Sequence, residues 1–158
     1  MGDACHHHHN DAPLTVGEVA RAVAEADARV TAEGERMTAA RSRVLELLLA
    51  AGEPVKAYDL IARFGEDGQP AKPPTVYRAL DFLERKGLAH RIASISAYVA
   101  CASGHRDHAA AFLICDCCGA TAEVSTPVAE GLEQAAKTAG YVIERTTVEA
   151  HGRCPACA

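Results

Sequence analysis

Two cysteine pairs in the last third of this 158-residue chain have the spacing of metal ligands. Two residues separate Cys115 from Cys118, and two separate Cys154 from Cys157. This spacing lets one turn of backbone present both sulfurs to a single ion, and four thiolates form the tetrahedral shell that zinc takes in structural sites. The sequence therefore predicts a structural zinc site with these four ligands.

The 35 residues between the pairs exceed the gap of a simple zinc ribbon, so the metal would tie a last strand back to an earlier turn. Redox pairs and unligated thiols are the alternatives. A redox C-x-x-C normally begins a helix, whose dipole lowers the thiol pKa, and we expect no helix after Cys157. Cys117 leaves the ligand choice within the first pair open; the two-residue spacing favours Cys115 and Cys118, with Cys117 as a bystander.

A second set of possible ligands is scattered along the sequence: His90, Cys101, His108 and Glu123. Two imidazoles, one thiolate and one carboxylate can close a tetrahedral shell around zinc, and the thiolate disfavours a hard ion or ferrous iron. The four would meet only if two domains packed at a particular angle. Each also fits a plain structural role, such as a solvated strand histidine, a buried cysteine or an exposed strand carboxylate. His105 and His151 are comparable candidates.

Composition indicates a folded protein with modest cores. Apolar residues make up 49% of the chain, but aromatic residues only 4%. Two small domains would fit in this length if each had an extra source of stability, such as a metal or a partner chain. Seven cysteines with two C-x-x-C pairs favour metal binding in a reducing compartment over a disulfide framework.

No apolar run approaches the ~20 residues that span a bilayer, and the first residues, MGDACHHHHNDAP, lack the apolar stretch of a signal peptide. We therefore expect a cytoplasmic protein without a membrane segment. Residues 1–14 are predicted to form a disordered, His-containing tail. A native metal-binding tail and part of an affinity tag are equal alternatives for the CHHHH run.

Charge is distributed unevenly along the chain, whose net charge is -5. Residues 1–35 carry 2 basic and 7 acidic side chains, residues 36–91 carry 10 and 7, and residues 92–158 carry 4 and 7. Only the middle segment has a positive balance. If the chain binds nucleic acid, this segment is the one suited to face phosphate.

Helix signals dominate the first hundred residues. Thr15 with Glu18 forms a capping box for a helix that should run to about Gly34. Thr38 is the predicted N-cap of a second helix that ends at Gly52, and a short third helix contains Tyr58 to Phe64. Lys72-Pro73-Pro74 leads into a fourth helix, closed by Gly87. A hairpin of residues 88–92 and 97–100 follows. Helices followed by a hairpin are the order of a winged helix-turn-helix, predicted over residues 15–101.

The pattern changes after a turn that contains histidines. Residues 102–110 are predicted to form a hinge, and residues 111–158 a small α/β domain. Its elements are predicted as strands at 112–115 and 121–124, a helix at 128–139 and a strand at 141–148. The fold class is therefore α+β.

Several motifs together resemble the ferric-uptake-regulator family, in its zinc-uptake branch. They are the run KPPTVYRALDFL from Lys72 to Leu83, the following His90, the segment SAYVAC ending at Cys101, FLIC-x-x-CGA around Cys115, and EAHG-x-C-x-x-C from Glu149. They occur in the family's order with near-matching gaps, over about residues 15–158. The resemblance implies a dimeric repressor with an N-terminal winged helix and a C-terminal α/β dimerisation domain.

The resemblance also implies two zinc ions per subunit. The branch's structural ligands fall on Cys115, Cys118, Cys154 and Cys157. Its regulatory ligands fall on His90, Cys101, His108 and Glu123. This chain is one residue shorter than the branch between Cys101 and His108, which leaves His105 as a rival. The iron-sensing branch has an unbroken His cluster where this chain has His105-Arg-Asp-His108.

DNA contacts are predicted around the fourth helix, which would enter the major groove. Arg78 can bond a guanine, Tyr77 a thymine methyl or a phosphate, and the branch has a base-contacting tyrosine where Tyr58 lies. Lys72, Thr75 and Arg41, with Arg36 and Arg43, are predicted at phosphates. The alternative is that the tyrosines are partly core aromatics and Arg78 an ordinary solvated charge. Dimerisation implies an inverted-repeat operator, and the family an A·T-rich one.

Three other classes of protein compete with a zinc-responsive repressor of zinc-uptake genes. An iron or peroxide sensor of the same family is the first. A zinc-buffering or thiol-redox protein would explain the cysteines but not the winged helix. A zinc hydrolase would need an open coordination position and a motif such as H-E-x-x-H, which the sequence lacks. We therefore expect no enzyme activity.

Overall fold

The computed structural model describes residues 14–65, 69–101, 110–124 and 128–158. The chain divides into two compact units at residues 106 and 107. The predicted tail lies outside the described residues except for Leu14, and so does the predicted hinge except for Ala110. Within the described residues, no helix is long and apolar enough to cross a membrane.

In the part of the chain that the structure describes, the first unit contains four α-helices, three short strands and a 3-10 turn at Ala93–Ile95. The helices are α1 (Val16–Ala32), α2 (Ala39–Ala51), α3 (Ala57–Arg63) and α4 (Pro73–Arg85). The strands are β1 (Val55–Lys56), β2 (Ala89–Ile92) and β3 (Ala97–Ala100), and they form one antiparallel sheet in the order β1-β3-β2. This is the predicted succession of helices and hairpin, with β1 as an addition.

Local capping explains where these helices begin and end. The Glu18 backbone N–H donates to the Thr15 hydroxyl at 3.3 Å, and the Glu18 carboxylate accepts the Thr15 backbone N–H at 2.8 Å. The Thr15 backbone N–H and the Thr15 hydroxyl, which both donate to the Glu18 carboxylate, hold the pKa of Glu18 below its usual 4.5. Thr38 caps α2, which ends at Gly52 in the left-handed conformation with a φ of 63°. The capping box and both ends of α2 are therefore as predicted.

The core of the first unit lies between α1, α2 and α4. Its fully buried side chains include those of Val30, Val44, Leu48, Leu80 and Phe82. The face of α4 opposite this core is solvent-exposed, so the helix is fixed by its apolar side while the other side is available for contacts.

A buried lysine joins the end of α4 to the end of α1. Lys86 pairs with Glu35 and, at 3.1 Å, with Glu33, and Arg29 donates to the Lys86 carbonyl at 2.9 Å. Hydrogen bonding to Glu35 raises the pKa of Lys86 and lowers that of Glu35. These contacts fix the C-terminal end of α4 against α1.

Across its described residues, the second unit is a three-stranded sheet with one helix. Its elements are β4 (Ala110–Cys115), β5 (Thr121–Val124), α5 (Val128–Ala139) and β6 (Thr147–Gly152). The sheet order is β5-β4-β6, with β5 antiparallel and β6 parallel to β4. The predicted strand at 141–148 is wrong in its bounds, because the pairing begins only at Thr147 and continues to Gly152, opposite Cys115.

Candidate metal centres and nucleic-acid interface

The first cysteine pair lies on a tight turn at the end of β4. The Gly119 N–H donates to the Cys115 carbonyl at 2.9 Å, and the Cys115 N–H donates to the Ala120 carbonyl at 2.8 Å. Gly119 has a φ of 75°, which costs glycine little. Cys115 and Cys118 therefore lie where β4 ends and the chain turns towards β5.

The parallel pairing of β6 with β4 brings the second pair to this turn. The Asp116 N–H extends the pairing by donating to the Gly152 carbonyl at 2.9 Å, so the chain leaves β6 directly beside the turn. The Cys154 N–H then donates to the Cys115 sulfur at 3.3 Å, and the sulfurs of Cys118 and Cys154 lie 3.8 Å apart.

The sulfurs of the four predicted ligands all lie within 4.8 Å of one another. We call this set the four-cysteine cluster: Cys115, Cys118, Cys154 and Cys157. Zinc–sulfur bonds of about 2.3 Å place the sulfurs of a tetrahedral site about 3.8 Å apart, which is the separation of Cys118 from Cys154. The donor set and the spacing therefore fit a zinc ion.

The electrostatics of the cluster also favour a cation. Backbone N–H groups of Cys118 and Cys154 lower the pKa of Cys115 to about 6. Burial and hydrogen bonds shared with neighbouring thiols raise the pKa of Cys157 instead. The protein alone thus favours a thiolate at Cys115 and opposes one at Cys157. A divalent cation would supply the charge that four thiolates need.

His151 on β6 contacts the turn that carries the first cysteine pair. Its Nδ1 atom lies 2.9 Å from Asp116 Oδ1, and its Nε2 atom lies 4.0 Å from a Glu149 carboxylate oxygen. Sequence reasoning treated His151 as a candidate ligand and missed this contact. The only signal in the sequence was its place three residues before Cys154, since the contact depends on the register of β6 on β4, which pairs His151 with Ile114, two residues before Asp116.

Cys117 is exposed on the same turn. Its backbone N–H helps to lower the pKa of the Cys115 thiol, and its side chain helps to raise the pKa of the Cys157 thiol. Cys117 therefore adjoins the four-cysteine cluster.

Two members of the second predicted ligand set lie together in the first unit. His90 is on β2 opposite Val99, and the Cys101 N–H that follows β3 donates to the Leu88 carbonyl at 3.0 Å. The hairpin thereby brings a His90 ring nitrogen and the Cys101 sulfur within 4.8 Å of each other. Both residues are half-buried.

The other members of that set belong to the second unit or are not described. Glu123 is a half-buried residue of β5, opposite Phe112. His108 and its rival His105 lie outside the described residues. Of the predicted regulatory set, the structure therefore describes the close pair His90 and Cys101 and the β5 carboxylate of Glu123.

The predicted DNA-contact residues on α3 and α4 are accessible. Tyr58 is 75% exposed and Tyr77 is 51% exposed, so neither is a core aromatic. Arg78 and Lys72 are also exposed, and Thr75 is half-buried with its N–H donating to the Lys72 carbonyl at 2.9 Å. Accessible aromatic and basic side chains thus lie on α3 and near the N-terminal end of α4.

Two arginines of α2 make contacts within the protein that the sequence did not predict. The Arg41 guanidinium lies 3.5 Å from the centroid of the Phe82 ring and donates to the Arg36 carbonyl. Arg43 donates to the Phe64 carbonyl at 2.9 Å and pairs with Glu46 at 3.3 Å. The Glu46 spacing of three residues was visible in the sequence, whereas the Phe82 contact depends on how α2 packs against α4.

The sequence matches a known family and named relatives. The model of the ferric uptake regulator family matches residues 32–151. The zinc uptake regulation protein of Escherichia coli (strain K12) is 39% identical over 140 residues, which cover 85% of this chain and 80% of that protein. The protein of the same name from Shigella flexneri matches with the same identity and coverage.

Two solved structures are similar over most of the chain. A zinc uptake regulator complexed with zinc and DNA matches with a TM-score of 0.79 and 35% identity, covering 90% of this chain and 95% of that chain. The crystal structure of holo XcZur matches with a TM-score of 0.71 and 40% identity, covering 84% and 94%.

Proposed function

This chain belongs to the ferric uptake regulator family, in its zinc-uptake branch, and from that premise we propose that it is a zinc-responsive DNA-binding repressor of zinc-uptake genes. The observation that carries the proposal is the similarity, over 90% of the chain, to a zinc uptake regulator complexed with zinc and DNA. The accessible residues of α4 and the four-cysteine cluster are the features such a protein needs.

For DNA recognition, α4 would lie in the major groove with its N-terminal end nearest the bases. Arg78 would bond a guanine, and Tyr77 and Tyr58 would contact bases or phosphates. Lys72 and Thr75 would hold phosphates, which supplies affinity without sequence preference. Arg41 stays a predicted phosphate contact, and its place over the Phe82 ring would fix its guanidinium beside α4.

A homodimer formed through the second unit would complete the DNA-binding protein. Large apolar side chains are exposed there: Leu113, Val128, Leu132, Tyr141 and Val142. Apolar area of this kind on a small domain is typical of a surface that a partner covers. A two-fold dimer reads two half-sites, so the operator would be an inverted repeat; the family implies that it is A·T-rich.

Each subunit would hold two zinc ions. Cys115, Cys118, Cys154 and Cys157 would hold the structural ion, which closes the second unit. The regulatory ion would take His90, Cys101, His108 and Glu123. The closeness of His90 to Cys101 supports this second set, since the hairpin presents a nitrogen and a sulfur side by side.

The regulatory set draws ligands from both units, which couples metal binding to DNA binding. Coordination by both units would favour one arrangement of the two winged helices, and linkage requires DNA to raise zinc affinity by the same factor. A hundredfold gain in DNA affinity corresponds to about 2.7 kcal/mol of coupling. Structural zinc sites bind with about 10 kcal/mol or more, so tight coordination can supply it.

The test is fluorescence anisotropy of the full-length protein on an A·T-rich inverted-repeat duplex at fixed salt. Free zinc, iron and manganese are each buffered over a series of concentrations. We expect tight binding only as free zinc rises. A response to iron or manganese would assign the chain to another branch, and an absent metal response would contradict the regulatory site.

A further inference from the structure

Arg43, on α2, makes three hydrogen bonds that join α2 to the end of α3. Its Nε atom donates to the Phe64 carbonyl at 2.9 Å, and one Nη atom donates to the Arg63 carbonyl at 3.3 Å. The other Nη atom donates to the Glu46 carboxylate at 3.3 Å, three residues along α2. Each guanidinium nitrogen therefore has an acceptor within the protein, and the carboxylate offsets the charge. These bonds suit a residue that fixes backbone better than the phosphate contact that the sequence predicted.

We propose that Arg43 is a positioning residue for DNA recognition. It fixes the C-terminal end of α3 and, through the backbone that follows, the N-terminal end of α4. The inference rests on the proposed function, because it takes α4 to be the helix that contacts the bases.

The helix α3 needs such a contact because it is short. It has seven residues and buries the side chains of Ala57 and Leu60, and isolated helices shorter than about 12 residues are marginal in water. The last carbonyls of a helix lack partners within it, and a cation at that end interacts favourably with the helix dipole. Arg43 supplies both the hydrogen bonds and the charge at the C-terminal end of α3.

Two backbone hydrogen bonds link the end of α3 to the start of α4. The Ala71 N–H donates to the Ile61 carbonyl at 3.0 Å, and the Gly65 N–H donates to the Gln69 carbonyl at 3.1 Å. A Cβ atom at Gly65 would clash with the Gln69 oxygen, so this close approach requires glycine. Lys72 directly follows Ala71, and the two prolines after it have a fixed φ. The position of the N-terminal end of α4 therefore follows that of α3.

Base contacts depend on where this end of α4 lies. Arg78 would bond a guanine only if its guanidinium met the base edge in the right plane, and groups that recognise a ligand need placing to within about 0.5 Å. A phosphate contact depends mainly on charge and carries no sequence information. Loss of the Arg43 bonds should therefore lower affinity for the operator more than affinity for other DNA.

The test is Arg43→Lys in the full-length, zinc-loaded protein. Lysine keeps the positive charge but lacks the planar fork that bonds two carbonyls. Anisotropy titrations at fixed salt compare the A·T-rich inverted-repeat duplex with a scrambled duplex. Arg21→Lys is the matched control, because the Arg21 side chain is 73% exposed on α1, where it pairs with Glu25 at 4.0 Å.

We expect Arg43→Lys to bind the inverted-repeat duplex about tenfold more weakly, the size of one lost base contact, and the scrambled duplex as wild type does. The control should match wild type on both. Unchanged affinity of Arg43→Lys for both duplexes would contradict the proposal, since a phosphate contact tolerates lysine. Equal losses on both duplexes, with a lower melting temperature, would also contradict it by showing a general structural role.

A double-mutant cycle with Arg78→Ala adds a readout that a general loss of stability would not change. In the wild-type background, Arg78→Ala should weaken binding to the inverted-repeat duplex about tenfold. In the Arg43→Lys background the further loss should be about twofold or less, because the base contact is already impaired. Equal factors in the two backgrounds would mean that Arg43 does not act through α4.

Gly65→Ala tests the same link between the helices without changing a charge, and it carries the cycle if Arg43→Lys does not fold. The added Cβ would displace the Gln69 carbonyl, so we expect the same loss of specificity. A folded Gly65→Ala protein that keeps full specificity would contradict the proposal. Wild-type protein that binds both duplexes alike would overturn the proposed function and this inference with it. Wild-type protein that distinguishes them, beside an Arg43→Lys variant that does so equally well, would overturn the inference alone.

Discussion

Arg78 and Lys72 are two exposed cations near the start of α4 with different expected effects on DNA binding. Arg78→Ala should cost about 1–3 kcal/mol on the operator and relax specificity at one base pair. Lys72→Ala should weaken operator and scrambled duplexes alike, and reduce the slope of log affinity against log salt by about 1. Anisotropy titrations of both duplexes over a salt series measure these effects.

Arg85→Ala is the matched control, because Arg85 is an exposed cation at the other end of α4, paired with Asp81 at 3.4 Å. We expect near-wild-type affinity. If Arg78→Ala lowered affinity for both duplexes equally, Arg78 would be a phosphate contact.

His151 should influence zinc affinity without being a ligand. Its hydrogen bond to Asp116 fixes the first cysteine turn against β6, and loss of such supporting contacts typically costs 10–100-fold in metal affinity. His151→Ala should therefore weaken the structural site by about tenfold, measured by competition with a chelator. Arg153→Ala, an exposed change beside Cys154, is the control. Unchanged affinity in His151→Ala would reduce the contact to a surface interaction.

At the scale of elements, the helices were predictable because their ends carry local signals. Thr15 with Glu18, Thr38 with Gly52, and the prolines after Lys72 each act through backbone groups a few residues away. The strand β6 was placed too early because Tyr141 and Val142 are apolar, yet Val142 is 90% exposed. The start of β6 depends on its register against β4, more than thirty residues earlier, which no local pattern encodes.

The same distinction holds for the two predicted metal sites. Spacing alone identified the four cysteines, because each pair is local. By contrast, His90 and Cys101 meet only through the hairpin register, and the contact of Arg41 with Phe82 only through packing of α2 on α4. Sequence patterns do not specify such geometry.

The junction of α1 with α4 predicts how stability depends on pH. Glu35 has a lowered pKa, so its contribution is present above its usual 4.5 and is lost as pH falls through its folded value. Lys86 has a raised pKa, so its contribution is present below its usual 10.5 and is lost as pH rises through its folded value. Lys86→Met should remove both dependences.

The measurement is the difference in unfolding free energy between wild type and Lys86→Met, by urea titration across this pH range. We expect this free-energy difference to be largest at pH values between 4.5 and 10.5, and smaller at lower and at higher pH. Lys72→Met, at an exposed position, is the control and should show little difference at any pH. A constant difference for Lys86→Met would mean that its effect is packing alone.

For the whole molecule, two cysteine variants should distinguish a loss of the zinc response from a loss of the folded dimer. Cys101→Ser should abolish the zinc dependence of DNA binding while circular dichroism and solution mass stay unchanged. Cys118→Ser should instead destabilise the second unit and with it the dimer, because Cys118 would be a ligand of the zinc ion proposed to close that unit. Size-exclusion chromatography with light scattering, run beside the anisotropy assay, distinguishes them. DNA binding that still responds to zinc in Cys101→Ser would exclude Cys101 from the switch.

Parallel pairing of β4 with β6 has a consequence for how the protein is made. Parallel strands need a long connection, and here a zinc ion held by the cysteine pairs at their ends would close a loop whose closure entropy opposes folding by about 4 kcal/mol. A nascent chain that meets little zinc would close this loop slowly and would be exposed to proteolysis meanwhile. Zinc supply would thus set how much mature regulator a cell accumulates, on the timescale of synthesis and turnover, as well as how much of it is on DNA at any moment.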